Sequence, residues 1–263
     1  MLDVKDENPQ QRWKRTQEVL SSLLLSCGVS ERALNKGFNN IESIKDRISN
    51  DDDFDSISTF ITSNESFYSD HALLTAIFSG LILEKVEWNS EANLEKLLLA
   101  SLLHDATLDP EVANVMESNN MDLISEMSKE DQDKYFSHTK EVADLIEQND
   151  AIHKEVGTIV LEHHERPDGT GFPRGLTSRH IHPLSSLFIF AHDLVEQLYA
   201  NDFDPSKMTQ IMNYLGDKYN ECHFESAYSA FLEVFTPKAA AVQVVEESED
   251  LEDLLDESFE EIA

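Results

Sequence analysis

The sequence predicts an all-α fold. Apolar residues recur at helical rather than strand spacing almost everywhere, capping pairs stand where the apolar stripes begin, and one glycine-rich loop interrupts the helices. With 263 residues, 40% of them apolar, the chain can bury the core of one large domain or two small ones.

Taken in order, Trp13, Leu20, Leu24 and Cys27 form a first stripe that Gly28 ends. Leu34, Phe38, Ile41, Ile44 and Ile48 form a second, with Gly37 and Asn39-Asn40 placed to break it. Residues 1–50 are thus an N-terminal helical region. The run Asn50 to Asp53 reads as a polar linker, followed by a short helix around Phe54 to Ile61, and the main domain spans 51–237. A helix from about Ser69 to Trp88 carries His71, Leu74, Ile77, Phe78 and Leu81 on one side, and the next, Glu91 to His104, turns Leu94, Leu97, Leu98 and Leu102 inward. Asp109 and Pro110 suit the N-cap and first turn of a helix to about Glu117. Ser128 with Asp131 starts a helix bearing Tyr135, His138, Val142, Leu145 and Ile146, and Ile152, Val156, Ile159, Val160 and His163 define its successor. After the loop from Asp168 to Gly175, Pro183 opens a long helix through Ala200, and a last packed helix runs from His223 to Phe235.

The segment 238–263 is different in kind. Beyond Lys238 there is no basic residue, and ten acidic ones lie between Glu246 and Glu261, which predicts a solvated, disordered tail. Leu251, Leu254, Leu255, Phe259 and Ile262 nevertheless keep a helical spacing, so an amphipathic helix on a protein partner is an equal alternative. The formal net charge of -32, from 52 acidic and 20 basic residues, opposes binding to DNA or RNA polymers and to anionic membranes. Two distant cysteines, Cys27 and Cys222, imply no disulfide framework. An N-terminus without a basic region and apolar run, and the lack of an apolar stretch of about 18 residues, predict a cytoplasmic protein.

Ten histidines are present, and four of them, His71, His104, His138 and His163, lie on or beside the apolar stripes of successive helices. A single such histidine is ordinarily a hydrogen-bonded core side chain. Four without a common partner would cost about 1–3 kcal/mol for each unsatisfied group. Asp193 lies in an apolar helical segment, Leu187 to Val195, where a bare carboxylate is costly and no lysine or arginine is near in sequence. A metal is an economical partner, and mixed imidazole and carboxylate ligation suits iron, manganese or zinc. Adjacent His104 and Asp105 suit a pair of ions, because a carboxylate can bridge two cations. Two cations about 3.5–4 Å apart can activate a bridging water and brace a phosphoryl oxygen.

The order His71, His104-Asp105, His138, His163-His164-Glu165, then the loop Asp168-Gly169-Thr170-Gly171-Phe172-Pro173-Arg174-Gly175-Leu176, then Asp193, resembles the HD-GYP subgroup of the HD-domain phosphohydrolases from about Tyr68 to Leu198. The resemblance implies an HD-domain helical bundle with additional N-terminal helices and the acidic tail. It implies a metal centre of His71, His104, Asp105, His138, His163, His164 and Asp193, with His104 and Asp105 catalytic and Asp105 as the bridge. It also implies hydrolysis of the bacterial messenger cyclic di-GMP, or a related phosphate ester, to pGpG or GMP through a metal-bridging hydroxide. Two divalent transition-metal ions, iron or manganese, are expected, because Phe67 stands where members with a third metal carry glutamate. Arg174 is the candidate substrate contact. Three departures point to slow turnover: Leu108 replaces the family's lysine, Phe172 replaces its tyrosine, and Asp202 and Pro205 stand where arginines are common. Leu108→Lys with Asp202→Arg is accordingly expected to raise activity. The alternative is a metal-binding but catalytically weak or inactive signalling or scaffold protein.

Overall fold

A computed structural model describes residues 29–50, 70–108, 121–150 and 152–235, with a few helical positions between 14 and 25. The expected first stripe, the Asp51–Asp53 linker, the helices around 54–61 and 109–117, and the acidic tail lie outside the described residues.

Among the described residues the architecture is helical, with one isolated antiparallel bridge, Asp168 to Thr177, at the base of the glycine-rich loop. Nine α-helices follow in order: α1 Glu31–Asn50, α2 Asp70–Leu83, α3 Glu91–Leu103, α4 Met121–Glu126, α5 Lys129–Glu147, α6 Lys154–Glu162, α7 Pro183–Ala200, α8 Met208–Lys218 and α9 Cys222–Val234. A helix apolar on every side belongs inside. Both α2 and α7 satisfy that rule: from His71 to Leu83 every residue is buried, and α7 buries all but a few of its residues. They pack on each other, with α1, α3 and α9 against α2 and α6, α8 and α9 against α7. Each fully buried Phe, such as Phe188 and Phe190 in α7, contributes about 1.5–3 kcal/mol by leaving water.

The caps form as the residues predict. Ser90 Oγ accepts from Asn93 N at 3.1 Å, and Ser128 Oγ accepts from Asp131 N at 3.1 Å while donating to Asp131 Oδ2. Pro183 opens α7 behind the N-cap His182.

Three expectations about elements change. Gly37 does not break α1: a Cβ there would lie 3.2 Å from two carbons of Ile77, so the glycine lets α1 approach α2 closely. The helix expected to reach Trp88 ends at Leu83 and continues as turns. The segment from Pro205 to Lys218, not anticipated as helix, forms a 3₁₀ turn capped by Asp204 and then α8. No helix among the described residues is long and apolar enough to cross a membrane.

Candidate metal centre

Helix ends and helix faces converge on one buried point. His71 enters from the first turn of α2, His104 from the C-cap of α3 with Asp105 just beyond, and His138 from the middle of α5. His163 is the C-cap of α6 with His164 following, and His192 comes from the middle of α7. Neighbouring imidazole centroids are 4.0–5.6 Å apart, for example 4.7 Å from His71 to His192, 5.1 Å from His104 to His163 and 5.2 Å from His138 to His164.

The side chains sort into two groups that could each hold an ion: His71, His104, Asp105 and His192, and Asp105, His138, His163 and His164. Asp105 belongs to both. Its Oδ2 lies 3.1 Å from His104 Nε2, whereas Oδ1 lies 3.3 Å from His138 Nε2 and 3.6 Å from His163 Nε2. One carboxylate oxygen thus faces each group.

The hydrogen bonds behind the rings fix their tautomers. His104, His138 and His163 each place Nδ1 against the carbonyl oxygen three residues back, of Ser101 at 2.9 Å, Tyr135 at 2.5 Å and Val160 at 2.7 Å. A carbonyl only accepts, so each Nδ1 carries the proton and each Nε2 turns a lone pair inward. His138 Nε2 and His163 Nε2 are 3.4 Å apart. Two bare lone pairs at that distance repel, and a cation between them removes the repulsion. The spacing also suits two ligands on one ion, whose edge is about 2.9–3.4 Å for metal–nitrogen bonds of about 2.0–2.1 Å. His71 Nδ1 and His164 Nε2 are buried without a hydrogen-bond partner, a condition that native interiors avoid and that metal ligation relieves. The residues fit divalent metal ions.

Electrostatics favour the ligating forms. Burial, reinforced by neighbouring imidazoles, lowers His71 to about 3 and His163 to about 4, and holds His164 and His192 well below the usual histidine range. Burial alone would raise Asp105, but the imidazoles around it, His104 foremost and then His138 and His163, hold it well below the usual carboxylate range. Neutral imidazoles and an ionised carboxylate are what a cation requires.

The family model described as "HD domain" matches residues 56–227. The chain belongs to the HD-domain family. A solved structure, Bd1817, described as an HDG"Y"P protein from Bdellovibrio bacteriovorus, matches with a TM-score of 0.52 and 17% identity, over 85% of this chain and 81% of that one, and shows the shared fold. A search of curated proteins found no match. The family, the helical bundle and the paired ligand groups together point to a metal-dependent hydrolase of the HD type.

In this HD domain six of the seven expected ligands fall in the two groups, while Asp193 lines the cleft beside them with its oxygens engaged elsewhere. Its Oδ2 accepts from Lys218 Nζ at 2.7 Å and from the Tyr219 hydroxyl at 2.8 Å, and its Oδ1 accepts from Gln197 at 3.2 Å. Asp193 follows His192 on α7 by about 100° and borders the same cleft, but its oxygens are taken by Lys218, Tyr219 and Gln197. His192 Nδ1 lies 3.5 Å from Glu196 Oε1, a carboxylate one turn on that orients the ring. The absence of a nearby cation, read from the sequence, is what changes: α8 brings Lys218 back to Asp193.

Arg174 stands apart from the grouped ligands. Its guanidinium pairs with buried Glu162 and, with Lys140 and Lys154, lines a separate cavity of about 440 Å³ that none of the candidate ligands borders. Leu108 is buried with Ile124 and Tyr135, packed by Met127 and Phe172. Among the described residues Arg166 and Lys218 are the cations that line a cleft of about 20 Å³ with His163, His164, His192, Asp193 and Glu196. Sequence reasoning missed both, although Met208, Ile211, Met212 and Leu215 keep the helical spacing that announces α8.

The signature loop is clamped from beneath. Glu165 accepts from Arg174 N and Leu176 N, both at 2.7 Å, and Phe172 N donates to His164 O at 3.1 Å. A Cβ on Gly171 would fall 2.4 Å from Arg166 N, so only glycine permits this approach. The loop lays the Phe172 ring on His164, centroids 4.7 Å apart, with Tyr135 edge-on at 5.1 Å. Burial, then the Glu196 and Asp105 carboxylates, push the Tyr135 hydroxyl above its usual range and keep it a neutral donor.

Proposed function

We propose that this HD domain is a metal-dependent phosphodiesterase of the HD-GYP kind that hydrolyses cyclic di-GMP to pGpG or GMP, slowly. The observation that carries the reading is the shared carboxylate: Asp105 turns one oxygen to each of two imidazole groups. In this reading His104 and Asp105 lie at the centre of the chemistry, His71, His138, His163 and His164 are further ligands, and iron or manganese would occupy the pair. When bound, the two ions supply an activated water and the positive charge that a phosphoryl group in transit needs. The chain's own work is to orient. Carbonyl-tethered Nδ1 atoms keep three imidazoles aimed inward, and Asp105 sets the separation of the pair. Phe172 and Tyr135 keep water from the His164 side. Arg166 and Lys218 give the cleft the positive charge that Leu108 does not, and a phosphate ester is the substrate class that this charge suits.

A second reading, a metal-binding protein with weak or no turnover that acts through partners, rests on a specific observation. The cleft over the ligands has room for about one water, and Lys218 is engaged by Asp193. Anaerobic purification, elemental analysis and a hydrolysis assay on cyclic di-GMP with iron or manganese separate the two. Two metals with hydrolysis support the phosphodiesterase, two metals without it support the second reading, and no metal after reconstitution refutes both.

A further inference from the structure

The α7 register decides more than which residue is a ligand. His192 and Asp193 are both buried, side by side on one helix and bordering one cleft, yet they bond to different partners. His192 lies among the rings of His71, His104, His163 and His164, with Glu196 behind it. Asp193 lies against Lys218 and Tyr219, which α8 and the turn after it bring across α7. Lys218 Nζ and the Tyr219 hydroxyl both bond Asp193 Oδ2, at 2.7 and 2.8 Å. Moving Asp193 onto an ion would strand the part-buried Lys218 without its carboxylate, and an uncompensated charge of that kind is disfavoured.

We propose that His192, oriented by Glu196, completes the metal pair while Lys218 and Tyr219 keep Asp193 out of it, so that six imidazoles and one carboxylate hold the ions and select iron or zinc over manganese. The inference rests on the dinuclear reading above and deepens it. A neutral imidazole in place of a second carboxylate leaves the loaded centre one unit more positive. Imidazole donors suit iron and zinc, whereas carboxylate and water suit manganese. The greater charge also acts where the substrate's phosphate would lie, at a centre whose neighbouring position 108 carries no cation.

The test is metal competition on the full chain, stripped of metal and dialysed against equimolar zinc and manganese, and anaerobically against iron and manganese, with elemental analysis. Cobalt-substituted protein gives an absorption spectrum that reports the ligand set directly. Wild type should take two ions and prefer zinc and iron. His192→Asp should shift the bound ratio at least tenfold toward manganese and alter the cobalt spectrum. Asp193→Asn should keep both ions, the ratio and the spectrum while lowering the melting temperature. If His192→Asp does not fold, His192→Gln serves, with one ion weakened at least tenfold. The inference is overturned if Asp193→Asn loses an ion or shifts the ratio, or if the His192 variants match wild type. A wild type that loads two ions selectively but leaves cyclic di-GMP intact removes only the substrate assignment. A wild type that binds none removes the metal reading itself.

Discussion

Glu165 offers the sharpest test of how the centre is held in shape. It is 1% exposed, and its two oxygens accept the backbone N–H groups of Arg174 and Leu176, which anchor the far limb of the signature loop. A hydrogen bond to a charged acceptor contributes about 1.5–3 kcal/mol, so removing both gives an upper bound of about 3–6 kcal/mol. The loop is partly exposed and can pass some of its N–H groups to water, which brings the expectation for Glu165→Ala to about 2–4 kcal/mol. Glu165→Gln retains one acceptor and turns an amide N–H₂ toward the other donor, so about half that loss is expected. In a domain of this size 1 kcal/mol moves the melting temperature by about 2–4 °C, placing the alanine variant roughly 5–15 °C below wild type and the glutamine variant between them. Calorimetry with metal analysis at each step is the assay. Metal affinity should fall with stability, because the same loop lays Phe172 on His164. Variants melting within about a degree of wild type would refute the clamp.

Burial of Leu108 reverses the sequence-based expectation for Leu108→Lys: a cation among Ile124, Tyr135 and Phe172 should destabilise by about 2–4 kcal/mol without raising hydrolysis, which paired urea titrations and assays will show. Gly171→Ala should displace the loop and lower metal affinity at least tenfold by isothermal titration, since its Cβ would collide with the backbone of Glu165 and Arg166. Chelation should lower the melting temperature, as an ion present at about 100 times its dissociation constant stabilises by about 2.7 kcal/mol. The stripped protein should weaken with acid. His71 and His163 stay neutral when folded, down to about 3 and 4, but take up protons near 6.5 when unfolded. Their contribution is complete above pH 6.5 and is lost as pH falls toward 4, so melting temperatures that do not fall over that window would contradict their burial.

Much of the fold was legible because each helix carries its own start signal and apolar face. Pro183 to Ala200 matches the expected span, and Ser128 with Asp131 caps α5 as read. What stayed hidden depends on contacts distant in sequence. Asp193 seemed to lack a cation because Lys218 is 25 residues away, on a helix whose spacing went unread. Gly37 looked like a break because its partner, Ile77, belongs to another helix. Arg174 looked available because its partner, Glu162, lies twelve residues earlier on the far side of the loop.

The motif holds three doubled positions. His104 and His163 are helix C-caps with right-handed helical dihedrals, so Asp105 and His164 follow them at about the helical 100° and still join the same cluster. His192 and Asp193, in the middle of an eighteen-residue helix, likewise line one cleft, and what separates them is their partners. His192 meets the imidazoles, whereas Asp193 is engaged by Lys218 and Tyr219. Lys218→Met should accordingly leave the inward side of α7 unchanged if ring packing around His192 holds the register, and should pull Asp193 toward the ions if the Lys218 pair holds it. The cobalt spectrum of that variant distinguishes the two, and an unchanged spectrum with a lowered melting temperature would assign the register to the imidazole cluster.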